Sequence, residues 1–401
     1  MPSYSKSIRK SRPARIDSID GKGEKVARTL SGNDSFGERK IGGLRGKRVG
    51  VVTNHTGLDS RWTWLPEKLR SSGVKIEKLF SPEHGPYGVA KEGEELDSYF
   101  DEALQTHVVS LYGQRREMET DDVSDLDFLL YDMQDAGVRF YTYISTLRSA
   151  VKACASAGRV LTVLDRPDPL GGATVRGPVL DEKLKSFVGT DTIPLQYGMT
   201  PGELATYWAG GTDTVSVIRM KGWGRKMWYD ATGLPFAAPS PNLPDMQSVM
   251  LYPGLALLEG VNVSVGRGTA LPFRLVGAPW LDGHQLLEAV GTADGILARF
   301  ARFIPGFGRF SGEVCEGAEF HVTDRSAADP VLLGLKILCH LSTLEGTVWA
   351  RNGKRLWAES ITGVEGIDRK VAEGKPEGMI GSWNRDAAAF RRRTGKFLIY
   401  D

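Results

Sequence analysis

The sequence predicts an α/β fold in which a Rossmann-like parallel sheet domain is followed by a second, smaller α/β domain. Three observations predict it. From residue 44 onward, short apolar runs alternate with helix-length amphipathic segments. The runs are apolar throughout, the mark of strands covered on both faces by helices. Each run ends in a polar or glycine-rich cluster, the place where open parallel sheets bind their ligands.

The chain opens with a basic leader, expected to be flexible over residues 1–43 and dispensable over residues 1–28. Residues 1–48 hold 13 Lys/Arg against 5 Asp/Glu, and the remainder holds 38 against 44. An acidic body makes nucleic acid an unexpected partner. The leader lacks the apolar core of about 7–15 residues that a signal peptide needs, which favours a cytoplasmic location. No segment approaches the roughly 18 apolar residues of a membrane span, so no stable membrane insertion is expected. The cysteines, Cys154, Cys315 and Cys339, are odd in number and far apart, which argues against a disulfide framework and a zinc site. With 41% hydrophobic and 25% charged residues in 401, the composition is that of a folded globular protein of two domains.

The first domain is expected over 44–275. Strands are read at 47–53, 74–80, 106–111, 126–131 and 160–164. A helix at 60–72 ends at Gly73, and a helix at 143–157 ends at Gly158, the residue type that tolerates a left-handed C-cap. The strand ends carry Asn54-His55-Thr56-Gly57, Ser81-Pro82-Glu83-His84-Gly85, Tyr112-Gly113, Asp132 to Gly137 and Asp165 to Pro169. Five such ends on one sheet edge converge on one crevice. Thr200-Pro201-Gly202-Glu203 has the form of a helix start with a capping box, which removes Glu203 from the catalytic candidates. The Pro-rich loop 239–244 carries Asn242, and the glycine-rich loop 262–269 points toward the same crevice. The second domain, over 276–401, reads as a strand at 319–323, a helix from Asp329-Pro330 to Leu341, a helix over 377–393 and a strand-like end at 397–400.

The missing motifs narrow the chemistry. There is no dinucleotide GxGxxG, no P-loop, no HExxH and no GxSxG elbow. What remains at the strand ends is carboxylates with Asn, Gln, His, Arg and Tyr, the palette of polyhydroxylated ligands and acid–base catalysis. Glu83, held between Pro82 and His84-Gly85, is the sharpest catalytic candidate. Asp132 and Asp135, flanking Gln134, are the others, although Asp135 reads equally as an ion-pair partner of Arg139. Tyr141 is suited to stacking on a ligand ring. Arg166 has the planar fork to clamp a carboxylate, or forms a salt bridge to Asp165 or Asp168. His55 and His84 lack metal-ligand spacing and read as hydrogen-bonding groups. The expected binding set is Asn54, His55, His84, Gln134, Arg139, Tyr141, Asp165, Arg166, Asn242, Glu259, Asn262 and Arg267, with no metal and no organic cofactor.

The motifs SPEHG, YDMQDAGVRFYTYISTL, LDRPDPLGG, GPVL, YGMTPGELA, GLPFAAPSPNLP, LEGVNVSVGRGT and VTDR occur in this order. From about residue 44 to 401 the chain thereby resembles the exo-β-N-acetylmuramidase (NamZ-like) family, formerly known only as a domain of unknown function. The resemblance implies a Rossmann-like domain and a smaller α/β domain with the active site between them. It implies release of N-acetylmuramic acid (MurNAc) from the non-reducing end of peptidoglycan fragments such as MurNAc-β-1,4-GlcNAc, and an amino-sugar disaccharide or muropeptide as the partner. It makes Glu83 the catalytic acid and gives roles to the Asn54-His55 and Asp132–Asp135 clusters. Two positions depart from the family pattern: Tyr87 stands where an arginine is usual, and Asp168 where the usual DRPNP has asparagine. The second catalytic group is Asp132 or Asp135 as nucleophile or base, or the substrate's acetamido oxygen oriented by a carboxylate or His55. Arg166 or Arg267 holds the lactyl carboxylate. The rival expectations are an amino-sugar-binding protein without activity and a hydrolase for another amino sugar.

Overall fold

The strands follow the apolar runs. The computed structural model describes residues 28–401 and contains β1 (Val49–Thr53), β2 (Ile76–Ser81), β3 (Tyr99–Asp101), β4 (Thr106–Ser110), β5 (Phe128–Asp132) and β6 (Leu161–Leu164). An antiparallel pair, β7 (Arg176–Val179) and β8 (Pro194–Gln196), precedes β9 (Val215–Ile218). The central sheet runs in the order β3-β4-β2-β1-β5-β6-β9. Every neighbouring pair is parallel except β3 with β4. All five residues of β1 are buried, and its side chains alternate between two cores. Val49 and Val51 pack with Leu65 and Leu69 of the helix Leu65–Ser71 on one face. Val52 packs on the other face, with Leu147 and Val151 of the helix Tyr143–Ala157. That helix ends at Gly158 with φ of 64°, the left-handed cap read from the sequence. The capping box at Thr200 and Glu203 is also formed.

Two expectations are corrected. The leader expected over 1–43 is not a leader beyond residue 27. Leu30 bridges to Lys221, Ser31 caps the helix Gly32–Ser35, and Phe36 and Ile41 are buried against the sheet. A Cβ on Gly32 would lie 2.1 Å from the backbone nitrogen of Asp165, so the chain enters the sheet where only glycine fits. The expectation for residues 1–27 lies outside the described residues. The strand-like end at 397–400 is instead a 3₁₀ turn, Gly395–Phe397, followed by extended chain. The Tyr400 hydroxyl there donates to Asp165 at 2.6 Å. The edge strand β3 and the seventh strand β9 complete the sheet beyond the five strands expected.

The second, smaller domain is built on an antiparallel sheet of β10 (Leu275–Ala278), β12 (Cys315–Val322) and β11 (Ile296–Phe303), in that order. A short hairpin, β13 (Arg351–Asn352) and β14 (Arg355–Leu356), leads into the helix Trp357–Thr362. One continuous core runs from Leu147 and Val163 under the parallel sheet to Leu255, Phe320 and Leu338. The two domains therefore share their interior. The three cysteines are buried and free. Among the described residues, no helix is long and apolar enough to cross a membrane.

The closest joint is the crossing of the helices Met246–Leu255 and Pro330–Ser342. A Cβ on Gly334 would stand 2.1 Å from the Gly254 carbonyl oxygen, so Gly334→Ala forces the helices apart. This variant should lose about 1–3 kcal/mol of stability. An unchanged melting temperature would contradict so close an approach.

Candidate active site

The site begins where β2 stops. Pro82 stiffens the exit, and His84 and Gly85 follow with φ of 70° and 74°, so the chain turns sharply. The His84 ring and the Ala90 carbonyl are joined at 2.8 Å, and the Ala90 N–H donates to the His84 carbonyl at 3.3 Å. This closed loop brings the Gly93 N–H to Glu83 Oε1 at 2.9 Å. Thr142 Oγ1, at the start of the helix Tyr143–Ala157, donates to Glu83 Oε2 at 2.7 Å. Both carboxylate oxygens are thus held while the residue remains half-buried. Burial first, then the Glu83 carboxylate beside it, pushes the Tyr112 phenol up to about 12.

Glu83 opens onto a cavity of about 470 Å³ between the two domains. The parallel-sheet side supplies Glu83, Glu92, Tyr112 and Thr142, and the other side supplies Glu259, Arg267, Arg309 and Trp357. Arg267 donates from Nε to Glu259 at 2.6 Å and lies 3.6 Å from Glu92. Its guanidinium sits over the Phe273 ring, 4.9 Å from the centroid. Arg309 has no ion-pair partner among the described residues and is exposed at the rim. Carboxylates, two guanidiniums and aromatic walls suit a polar ring-shaped ligand that carries a negative charge.

Of the expected catalytic residues, only Glu83 reaches this cavity. Asp132 is fully buried, accepting from Arg166 Nε at 2.5 Å and from Asn33 Nδ2 at 2.8 Å. It is held beneath the strand ends rather than offered to a substrate. Arg166 is correspondingly consumed by Asp132 and by the Leu58 carbonyl at 2.8 Å, so it clamps no ligand carboxylate. Asp135 is buried and accepts from the Tyr197 hydroxyl, and it forms no pair with Arg139. Arg139, also fully buried, donates to four carbonyls: Pro178 at 2.7 Å, Ile193 at 3.0 Å, Ile361 at 3.1 Å and Thr362 at 2.7 Å. Burial pulls its guanidinium down to about 9. Asp165 is buried among the Thr200 hydroxyl, the Gly202 N–H and Tyr400.

The remaining candidates frame the site without lining it. Asn54 accepts through Oδ1 from Thr56, and Gln134 donates to the carbonyls of Asp135 and Pro167. His55 Nε2 meets the Ala238 carbonyl at 2.8 Å, and burial lowers the basicity of the ring. The Tyr141 hydroxyl donates to the Pro239 carbonyl, so its ring packs inside rather than stacking on a ligand. Asn242 reaches the cavity only through Glu92, to which it donates at 3.0 Å. Asn262 pairs with the backbone of Gly346 and Val348. Tyr87 faces the sheet edge, its hydroxyl donating to Asp101 at 2.8 Å. Thr142, Glu92, Arg309 and Trp357 were missed. Only Arg309 had a local signal, its place after the glycine-rich stretch Pro305-Gly306-Phe307-Gly308.

This geometry defines an acid–base enzyme for a charged, hydroxyl-rich ring, of the glycosidase class. The comparisons agree with that class. A family model described as the exo-β-N-acetylmuramidase NamZ N-terminal domain matches residues 49–247, and its C-terminal counterpart matches 250–400. A curated relative from Bacillus subtilis (strain 168), the peptidoglycan β-N-acetylmuramidase NamZ, is 38% identical over 89% of this chain and 88% of its own. Two crystal structures of DUF1343 family proteins from Bacteroides fragilis also align. One has a TM-score of 0.84 at 30% identity over 93% of this chain and 99% of its own. The other has a TM-score of 0.70 at 27% identity over 94% and 99%. The chain belongs to the exo-β-N-acetylmuramidase NamZ family. The two family models meet between 247 and 250, ahead of the boundary expected at 275–276.

Behind the site lies a group of buried acids. Burial pushes Asp135 and Asp165 up to about 7, and pushes Asp168 well above its ordinary value, with Asp135 adding repulsion. The folded chain keeps protons that the unfolded chain releases above about pH 4, so these groups make stability fall as pH rises from there to about 7. Asp168, raised in the same direction, adds to the loss. Asp168→Asn keeps the Oδ1 acceptor that the Leu170 N–H uses at 3.0 Å and cannot ionise. Its melting temperature should exceed that of the unaltered chain, and by more at about pH 8 than at about pH 5. Calorimetry at both pH values checks this; an equal or opposite change would show that Asp168 is not buried as an acid.

Proposed function

We propose that this chain releases a non-reducing terminal β-linked N-acetylmuramic acid from peptidoglycan fragments, with Glu83 as general acid. The carrying observation is that Glu83 is held at both oxygens in a cavity shared with Glu259, Arg267 and Arg309. Cleavage passes through an oxocarbenium-like state that needs a proton on the departing oxygen. Glu83 supplies that proton, with Thr142 and Gly93 fixing its orientation. A carboxylate near the anomeric centre must also act, directly or through the acetamido group. Asp132 and Asp135 are buried away from the cavity, so Glu259 takes this part. Its ion pair with Arg267 holds it at the cavity wall, and in this reading it accepts from the acetamido N–H or from the attacking water. Among the described residues lining the cavity, Arg309 is the cation free for the lactyl carboxylate that distinguishes muramic acid, and Trp357 offers a face to the sugar ring.

Glu83→Gln keeps size and removes the proton. Turnover of MurNAc-GlcNAc should fall roughly 10²–10⁴-fold. A nitrophenyl β-MurNAc glycoside, whose leaving group departs unprotonated, should be partly spared. Equal loss on both would turn Glu83 from acid into nucleophile or orienting group, and no loss would remove it from the reaction.

Arg309→Ala should raise KM for nitrophenyl β-MurNAc roughly three- to tenfold, the worth of a charge-assisted bond at a partly exposed site. The residual turnover of nitrophenyl β-GlcNAc, which has no lactyl group, should be unaffected. If both KM values rise together, Arg309 does not read the carboxylate.

A further inference from the structure

The cavity does not end at the catalytic pocket. Tyr112, Val188 and Trp357 line it and also line a second open cavity of about 490 Å³, so the two adjoin along a shared wall. The extension has a consistent chemistry. Arg116, Lys354 and Arg355 line it, from the loop after β4 and from the hairpin β13–β14. Aromatic faces lie between them: the Tyr112 and Phe187 centroids are 5.7 Å apart, with the Arg116 guanidinium 4.8 Å and 5.5 Å from the two rings. Arg116 is only loosely neutralised, by Glu95 at 3.7 Å. Arg355 spends two bonds on the carbonyls of Leu184 and Lys183, and Lys354 is exposed at the hairpin turn. Among the described residues, no carboxylate lines this part.

A glycan cut one residue at a time must leave its remaining length outside the catalytic pocket. In alternating MurNAc–GlcNAc chains the first leaving sugar is neutral. The next carries a lactyl carboxylate, about two sugar lengths from the scissile bond. We propose that the Arg116–Lys354–Arg355 groove is a subsite for that third sugar, reading its carboxylate and stacking its ring. The inference rests on the reading of the catalytic pocket as a muramic acid site. Cations alternating with aromatic faces match a polymer whose rings alternate with carboxylates. The subsite makes the enzyme prefer glycan strands over the bare disaccharide.

The test compares kcat/KM of the full chain on MurNAc-GlcNAc, on the trisaccharide MurNAc-GlcNAc-MurNAc and on MurNAc-GlcNAc-GlcNAc. The two trisaccharides differ only in the lactyl group of the third sugar. At low salt the muramyl trisaccharide should be favoured roughly fivefold over its GlcNAc counterpart, the combined worth of exposed ion pairs. The preference should shrink in about 0.5 M salt. In the Lys354→Glu variant it should fall below about twofold, and in Arg116→Ala it should fall at least in part. Equal rates on the two trisaccharides in the unaltered chain overturn the subsite, as does a preference that Lys354→Glu leaves intact. Failure to hydrolyse the disaccharide counts instead against the reading of the catalytic pocket.

Discussion

The buried guanidinium of Arg139 joins the two halves of the molecule. It has no carboxylate partner among the described residues and is solvated by four backbone carbonyls, two at the β7–β8 pair and two at the end of the helix Trp357–Thr362. The last carbonyls of a helix lack partners of their own and carry its negative dipole end, so a cation there satisfies both. Gly363 follows with φ of 73°, and a Cβ on it would meet the Arg139 guanidinium at 2.6 Å. The clamp therefore depends on a glycine at the helix end as much as on the arginine. Because Trp357 and Ile361 lie on that same helix and line the cavity, the clamp sets the width of the pocket opposite Glu83.

Two kinds of polar group at the strand ends are now distinguishable. Those beneath the sheet edge are structural: Asp132 with Arg166 and Asn33, Asp165 with Tyr400, Asp135 with Tyr197. Those above it, Glu83 and Tyr112, line a cavity shared with residues of the second domain. The structural group holds the first helices and the C-terminal residues onto the sheet. It fixes the floor on which the Glu83 loop stands.

Much of the fold was legible because its signals are local. The apolar runs, the Gly158 cap and the Thr200–Glu203 box each need only a few neighbouring residues. Residues 28–43 were hidden by the basic run that precedes them, which says nothing about Phe36 and Ile41 burying themselves. Strand β9 was hidden because Val215–Ile218 lies at the edge of the sheet, only half-buried, and is too short to stand out. In the site, Glu83 was legible from its position between a proline and a turn. Asp132, Asp165, Arg139 and Arg166 were read as ligand-facing because a strand-end polar residue can turn up or down. What decides is a partner far away in sequence, such as Asn33 for Asp132 or Thr362 for Arg139. Arg309 and Trp357 were missed for the converse reason, since their pocket exists only once the second domain is folded against the first.

The way Glu83 is held bears on how this chain can diverge. From Pro82 to Gly93 the contacts that shape the loop go largely to backbone atoms: the His84 ring to a carbonyl, Ala90 to a carbonyl, and Gly93 offering its own N–H. Backbone groups are the same whatever side chain they carry. The path of the loop therefore depends on the number of its residues more than on the identity of its outward side chains, Glu92 with its contacts to Arg267 and Asn242 excepted. Tyr87 fits that rule, because it turns away to Asp101. Insertion or deletion of a single residue between 86 and 92 would shift the Gly93 N–H from the carboxylate, which exchange of an outward side chain such as Tyr87 would not do.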